Sequence, residues 1–227
     1  MSIGVAVPCY NKHIPRLFEL LDSIENQTIK PNKVCVSCSS TREDEFVDAL
    51  SKYSFPTKVI VTEGKKNAAE NRNIALNHLL ELDYITFMDA DDIMHPQRIE
   101  ILLKAFKEND TDIILHNYQD QNDSELFQFK QIVDEDISIK VNSLQPHWSG
   151  CIEHIDYYKY QDEKIHHSQV SVKREILDYV RFPEEKEYET REDCIFCFKV
   201  FQIPNIKNVY IANKLSYYSP SHTEGIS

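Results

Sequence analysis

Short apolar runs alternate with amphipathic stretches along the first half of the chain. The apolar runs predict strands at residues 3–8, 33–37, 57–62, 84–88 and 112–116. Apolar residues at helical spacing predict helices at residues 15–27 and 66–80, up to Leu50, and after Pro96. This alternation with short connections is typical of a mostly parallel sheet that has helices on both faces. We therefore predict a Rossmann-like α/β fold.

The alternation relaxes after Tyr118. Residues 119–170 are polar and aromatic, and they predict loops and short strands that could cover one edge of the sheet. Helical spacing returns at residues 191–201, and residues 209–218 predict one or two short strands. Because no repeat or linker divides the chain, we predict a single domain spanning residues 1–227, with a parallel half (1–118) and a mixed half (119–227).

Charge and hydropathy narrow the classes of partner. The chain has 25 basic and 37 acidic residues, for a formal net charge of −12. Proteins whose main partner is nucleic acid normally carry a basic surplus, so we predict no nucleic-acid partner. No apolar run approaches the roughly 20 residues that span a bilayer, which predicts no transmembrane segment. The N-terminus shows no signal-peptide pattern, and we expect a cytoplasmic protein.

Three carboxylates follow the fourth predicted strand within four positions, at Asp89, Asp91 and Asp92. Carboxylates this close raise one another's pKa unless a cation or hydrogen bonds neutralise them. Ligands of such sheets bind at the carboxyl ends of the strands, where this stretch lies. The pattern favours a divalent metal site, and the alternative is an Asp-rich turn that caps the next helix.

The six cysteines include two C-x-x-C pairs, Cys35/Cys38 and Cys194/Cys197. The pairs lie far apart in sequence, whereas about 15–20 residues separate the pairs of a compact zinc module. Free thiols are therefore the prediction for all six.

Several short motifs occur together in one order. They are residues 5–11 (VAVPCYN), residues 23–28 (SIENQT), Asn71-Arg72-Asn73, Asp89-Ala90-Asp91-Asp92 followed by Pro96, and Glu192-Asp193. In order and spacing they resemble the family two nucleotide-sugar glycosyltransferases, which have the GT-A fold. The resemblance covers about the whole chain and is strongest over residues 1–110. It implies a nucleotide-sugar-binding half (1–118) and an acceptor-side half (119–227).

The resemblance also implies how a nucleoside-diphosphate sugar is held. Mn²⁺ or Mg²⁺ would bridge its two phosphates, with Asp91 as the direct ligand and Asp89 facing the ribose or a metal-bound water. Asp92 would cap the next helix or hold Arg72. His222 resembles a histidine that touches the metal or the diphosphate in relatives, the alternative being a tail outside the site. The donor pocket would comprise Pro8, Cys9, Tyr10, Asn11, Ser37, Ser39, Asn67, Arg72, Asp89 and Ala90.

By the same resemblance, Asp193 would be the general base for the acceptor hydroxyl, and Glu192 would replace it if the register is shifted by one. A carboxylate in a partly desolvated site suits this role. The reaction would invert the anomeric carbon and deliver the sugar to a glycan or another hydroxyl acceptor. The alternative is a solvated helix N-terminus, where the dipole favours acidic residues.

Two positions depart from the family pattern. Relatives usually end the second strand in Asp-Asp-Gly-Ser, where one aspartate reads the base, whereas this chain has Ser37-Cys38-Ser39-Ser40. Asn67 stands where relatives often have glycine, and we expect it to take over a left-handed turn. The pairs His147-Trp148 and His166-His167 could form an acceptor shelf or be ordinary aromatic packing.

Two other classes of function stay open at this point. One is a non-catalytic relative that binds a sugar or a nucleotide, which the missing base-reading aspartate makes credible. The other is a nucleotidyltransferase, but Pro8-Cys9-Tyr10-Asn11-Lys12 is not the Gly-rich, basic phosphate loop such enzymes normally carry.

Overall fold

The computed structural model describes residues 1–42, 47–120 and 129–219. Its helices are α1 (Ile14–Glu25), α2 (Val47–Leu50), α3 (Ala68–Leu76), α4 (Arg98–Asn109) and α5 (Glu192–Val200). Its strands are β1 (Ile3–Tyr10), β2 (Lys33–Ser39), β3 (Thr57–Thr62), β4 (Tyr84–Phe87), β5 (Ile93–Met94), β6 (Ile113–Asp120), β7 (Ile139–Val141), β8 (Leu144–Pro146), β9 (Ile152–His154), β10 (Ser171–Lys173) and β11 (Asn208–Tyr218).

The central sheet has the strand order β3-β2-β1-β4-β10-β6-β11-β5, and β7 pairs with β11. Strands β3, β2, β1 and β4 are parallel to one another, and β11 is parallel to β6. Strands β5, β7 and β10 run antiparallel to their neighbours. The carboxyl ends of β1, β2 and β4 therefore lie side by side at one edge, and β8 and β9 form a separate hairpin.

Apolar side chains cover both faces of this sheet. On one face α1 buries Leu17, Leu20, Leu21 and Ile24 in a cluster that also contains the apolar stripe of α4. On the other face α3 and α5 contribute to a second cluster that includes Phe87 and Phe196. The predicted α/β class, with a mostly parallel sheet and helices on both faces, is confirmed.

The sequence predicted that the first strand ends at Pro8, but the strand extends two residues further. β1 continues to Tyr10 and stays in register with β2 up to the pair Tyr10 and Ser39. The carbonyl of Ala6 accepts a hydrogen bond from the Met88 N–H, so the backbone polar groups of Ala6 point toward β4. The backbone nitrogen of Pro8, two residues later in the strand, points to the same side. Because β4 ends at Phe87, the N–H that Pro8 lacks would have had no strand to pair with.

Asn67 does not adopt the expected left-handed conformation either. Its φ is −74° and its ψ is 174°, which is extended backbone. Its side chain accepts a hydrogen bond from the Glu70 N–H at 2.8 Å, and the Glu70 carboxylate accepts one from the Asn67 N–H at 2.9 Å. This capping box fixes the first residue of α3 and thereby the side of the helix from which the Arg72 side chain projects.

Strand β10 is a feature that the hydrophobic pattern did not predict. It is three residues long and inserts antiparallel between β4 and β6. Residues 209–218 form most of the single long strand β11, whose register with β6 shifts twice. Within the described part of the chain, no helix has the length and apolar character needed to cross a membrane.

Candidate active site

The four residues that follow β4 form a tight turn at the carboxyl edge of the sheet. The Asp92 N–H donates to the Asp89 carbonyl at 3.2 Å and closes the turn. Ala90 and Asp92 are buried, whereas Asp89 and Asp91 are partly exposed. The turn therefore presents two carboxylates toward the edge and keeps a third inside the protein.

Arg72 joins this turn to the start of α5. The residue is 2% exposed, and its guanidinium donates to Asp89 Oδ1 through Nη2 and to Glu192 Oε1 through Nη1, each at 2.6 Å. It also lies over the ring of Phe182, 5.2 Å from the centroid. Burial acts to lower the pKa of Arg72, but the charges of Asp89 and Glu192 raise it above its ordinary value. The arginine is thus a permanent cation that places two sequence motifs side by side.

Asp92 does neither of the things predicted for it. It does not hold Arg72, and the N-cap of α4 is Gln97 without a side-chain cap bond. Instead its carboxylate accepts hydrogen bonds from Gln169 Nε2 at 2.6 Å and from the Ser219 N–H at 3.1 Å. Burial, reinforced by the nearby charges of Asp89, raises the pKa of Asp92 well above its ordinary value. Asp92 therefore ties the turn to the segments that precede β10 and follow β11.

A buried polar network behind Asp92 was missed at the sequence level. Arg98 is fully buried and donates to His116 Nε2 at 3.2 Å, to Thr86 Oγ1 at 2.9 Å and to the Gln169 carbonyl at 2.9 Å. Burial lowers the pKa of Arg98 to about 9. His166 lies beside it, with Nε2 3.6 Å from Asp92 Oδ2. The sequence places these side chains on a helix, a strand and a loop, with no local spacing that marks them as a group.

The two histidines of this network make stability depend on pH. Burial lowers the pKa of His166 to about 3 and that of His116 well below 6.5. The unfolded chain binds these protons from about pH 6.5 downward and the folded chain does not, so acid costs up to about 1.4 kcal/mol per pH unit for each histidine. We expect the free energy of unfolding of the wild type, measured in urea, to lose its advantage over His166→Gln between pH 6 and pH 4. A constant difference across that range would contradict the assignment.

The predicted base and its substitute occupy the first turn of α5. Glu192 is 7% exposed and is engaged by Arg72; burial raises its pKa, which the charge of Arg72 opposes. Asp193 is partly exposed, and its Oδ1 accepts a hydrogen bond from the Cys194 N–H at 2.7 Å. Both carboxylates gain from the helix dipole. Of these two carboxylates, the described part of the structure shows an ion pair with Arg72 for Glu192 and none for Asp193.

The residues assigned to the donor pocket divide into two groups. Tyr10 and Asn11 lie at the edge, with Lys65 Nζ 5.9 Å from the Tyr10 ring centroid, and Pro8 precedes them within β1. Cys9 is 3% exposed and faces Cys38 across the sheet, so only its backbone lies near the edge.

The two serines at the end of β2 are fully buried beneath the edge. The Ser37 hydroxyl donates to Asn71 Oδ1 at 2.9 Å, and the Ser39 hydroxyl accepts from Asn71 Nδ2 at 3.2 Å. The hydroxyls of both serines assigned to the donor pocket are therefore engaged by Asn71.

The remaining predicted contacts lie in the second half of the chain. His222 falls outside the described residues. His166 is buried in the network behind Asp92, which makes it part of the interior and not of an acceptor shelf. Trp148 is 90% exposed, and its ring lies 5.0 Å from that of His147. Close by, a cavity of about 960 Å³ is lined by residues that include Cys151, Glu153 and Tyr157.

Comparison with known proteins identifies the family of this chain. The sequence model described as glycosyl transferase family 2 matches residues 4–178, which is most of the chain. The chain belongs to glycosyl transferase family 2. The resemblance to this family that the sequence motifs indicated is confirmed.

Individual family members cover the chain to different extents. The glycosyltransferase GlyG of Streptococcus pneumoniae serotype 4 is 27% identical over 145 residues, which are 63% of this chain and 48% of GlyG. The amylovoran biosynthesis glycosyltransferase AmsB of Erwinia amylovora is 26% identical over 225 residues, 96% of this chain and 69% of AmsB. The chain spans about half or less of several curated relatives, including 36% of TarP of Staphylococcus aureus.

Solved structures confirm the GT-A fold of this family 2 chain. TarS 1–349 of S. aureus superposes with a TM-score of 0.71 at 21% identity, over 96% of this chain and 60% of TarS 1–349. The same TarS fragment has been crystallised with UDP and with UDP-GlcNAc, and these structures superpose with TM-scores of 0.70 and 0.69. At this identity the likeness shows the fold alone.

Proposed function

We propose that the chain transfers a sugar from a nucleoside-diphosphate sugar to a hydroxyl acceptor, with inversion at the anomeric carbon and with a divalent metal. The observation that carries the proposal is the double ion pair of Arg72 with Asp89 and Glu192. It brings the carboxylates after β4 to the carboxylates that start α5. A donor-binding group and a base are needed within one substrate's length of each other, and this contact supplies that arrangement.

The residues after β4 fit a hard cation. Asp89 and Asp91 offer carboxylate oxygens, the ligands that Mn²⁺ and Mg²⁺ prefer. Burial raises the pKa of Asp92, and the negative charges of Asp89 and Asp91 add to this effect. Asp91 would hold the ion directly, with Asp89 fixed by Arg72 beside it and His222 as a further ligand. When bound, the ion neutralises the charge that develops on the departing diphosphate. Few protein ligands suffice, because donor phosphates complete the coordination of such ions.

Asp193 is proposed to accept the proton of the attacking hydroxyl. Its Oδ1 is oriented by the Cys194 N–H, and its neighbour Glu192 is held by Arg72, so the pair has a divided role. Glu192 positions the helix and Asp193 meets the acceptor. Because the hydroxyl attacks from the side opposite the diphosphate, a single displacement inverts the anomeric carbon.

The donor is proposed to be a UDP sugar, supported by the likeness of the fold to TarS structures that contain UDP and UDP-GlcNAc. Ser37 stands in place of a carboxylate and its hydroxyl donates to Asn71, so the base would be recognised by other groups. The acceptor is proposed to be a glycan hydroxyl. The exposed ring of Trp148 supports this, because sugar C–H groups pack on flat aromatic faces.

Nucleotide binding tests the donor site directly. We expect UDP with Mn²⁺, at about 100 times its Kd, to stabilise the wild type by about 2.7 kcal/mol, which raises Tm by roughly 5–10 °C. Asp91→Asn should lose most of this shift, because it removes the carboxylate charge that holds the ion. Thermal denaturation with UDP, GDP, ADP and CDP, each with and without Mn²⁺, measures both the metal requirement and the base.

Asp178→Asn is the matched control, because Asp178 is a surface carboxylate that pairs with Arg174. It should keep the full shift. A shift of equal size without metal, or one unchanged in Asp91→Asn, would remove the metal from the proposal. Stabilisation by a nucleotide without any transfer to an acceptor would favour the second candidate, a non-catalytic relative that binds nucleotides, which the altered end of β2 makes credible.

A further inference from the structure

Three metal-binding side chains converge beside α5, each from a different segment. Cys151 lies just before β9, His167 begins the short 3-10 turn His167–Gln169, and Cys194 is the third residue of α5. One ligand atom from each lies within 4.8 Å of the other two. Among the described residues, no other group of three or more His, Cys, Asp and Glu side chains meets this criterion.

We propose that Cys151, His167 and Cys194 form a binding site for Zn²⁺. Two thiolates and an imidazole are the ligands that Zn²⁺ favours, whereas the carboxylates of Asp89 and Asp91 suit harder ions. The chain would therefore carry two metal sites of different chemistry. This second site does not depend on the proposed transferase activity.

The distances require only a small contraction. Zinc bonds of about 2.3 Å to sulfur and 2.0 Å to nitrogen place tetrahedral ligand atoms roughly 3.5 Å apart. The ligand atoms of the three residues lie within 4.8 Å of one another, so each pair must approach by at most about 1.3 Å. Cys151 also lines the cavity of about 960 Å³, which gives the ion an access path.

Cys197 is the candidate for a fourth ligand. Cys197 lies one helical turn after Cys194 on the same helix, is fully buried, and contacts the His167 carbonyl through its thiol at 3.7 Å. Its thiol is near enough to Cys151 for the charge of one to raise the pKa of the other. Cys197 lies outside the group of three whose ligand atoms are within 4.8 Å, so it would have to move inward to complete a tetrahedral site.

Ion binding must replace interactions that exist without it. Burial, with the charge of Asp193 adding to it, raises the pKa of the Cys194 thiol, so zinc binding releases protons and strengthens as pH rises. His167 Nε2 accepts a hydrogen bond from the Ile152 N–H at 2.9 Å. A neutral imidazole has one unprotonated nitrogen that can accept. If the metal binds Nε2, it replaces the Ile152 N–H; if the metal binds Nδ1, the proton moves to Nε2, which can then no longer accept. The hydrogen bond from Ile152 is lost in either case. A changed Ile152 amide resonance is therefore an expected accompaniment of binding.

Metal content of tag-free protein tests the site. Protein purified without a histidine tag and exchanged into metal-free buffer is expected to retain about one Zn²⁺ per chain by mass spectrometry of its metals. Cys151→Ser and Cys194→Ser should each lower this to background. Cys35→Ser is the matched control, since Cys35 belongs to the other C-x-x-C pair and lies in β2. Cys197→Ser decides whether Cys197 is the fourth ligand.

Cobalt provides a readout on the unaltered chain, which protects the test against variants that fail to fold. Replacement of zinc by Co²⁺ should give the intense visible bands of a tetrahedral ion and a thiolate charge-transfer band. Wild-type protein that binds neither ion while its thiols react freely would overturn the proposal. A disulfide between Cys151 and Cys194, found by peptide mapping without reductant, would overturn it as well, because those sulfurs would then not be ligands.

Discussion

Asp193→Asn is expected to lower the rate of sugar transfer by about a thousandfold and to leave donor binding unchanged. The amide has the size of the carboxylate but takes up no proton. Within the described ranges Asp193 Oδ1 receives one hydrogen bond, from the Cys194 N–H, which an amide oxygen can also accept. The loss should therefore fall on kcat, and the thermal shift with UDP and Mn²⁺ should be retained. Transfer of a radiolabelled sugar to an acceptor measures kcat.

Glu189→Gln is the control for this experiment. Glu189 is an exposed carboxylate three residues before α5, and removal of its charge should not change the rate. A large loss in both variants would mean that the negative charge of the whole segment matters and not a base at Asp193. An Asp193→Asn variant with at least a tenth of the wild-type rate would remove Asp193 from the role of base.

Arg72→Met is expected to lower the free energy of unfolding by about 3–5 kcal/mol. Methionine matches the length of the aliphatic part of arginine, so the main loss is the cation between two carboxylates. Glu192 is 7% exposed and would be left charged and unpaired in the interior, and Asp89 would lose its partner as well. Urea denaturation followed by circular dichroism measures the change.

Two further variants separate this effect from ordinary loss of a surface ion pair. Arg174→Met breaks the exposed pair with Asp178 and should cost at most about 1 kcal/mol. Glu192→Gln in the Arg72→Met background should recover part of the loss, because it removes the buried charge. If Arg72→Met costs no more than Arg174→Met, the buried ion pair is not what holds α3, the β4 turn and α5 together.

Local signals in the sequence were sufficient for most elements of the first half. The apolar face of α1 and the apolar strands identified their own positions, because periodicity over ten residues reports burial directly. Local signals were insufficient where the end of an element depends on the neighbouring strand. Pro8 was expected to end β1, but its effect depends on where β4 stops, and no residue near Pro8 carries that information.

The arrangement of the site also could not be predicted from local sequence, because it depends on contacts between distant segments. The carboxylates after β4 and the start of α5 could be found as motifs, yet their connection through Arg72 spans 120 positions between Arg72 and Glu192. The cluster of Cys151, His167 and Cys194 was missed for a related reason. Spacing rules for zinc apply to ligands within one short module, and here three segments of the fold each contribute one side chain.

Strand β6 has a consequence for synthesis of the chain on the ribosome. Its two sheet neighbours, β10 and β11, both follow it in sequence, ending at Lys173 and Tyr218. At about 5–20 residues per second, the roughly 100 residues that separate β6 from the end of β11 take about 5–20 s to translate. Until β10 has been made, Ile113 and Ile114 lack both strand partners, and these two residues and Leu115 lack β11 until near the end of the interval. A nascent chain stalled there presents two unpaired edges, the kind of surface that chaperones protect from aggregation.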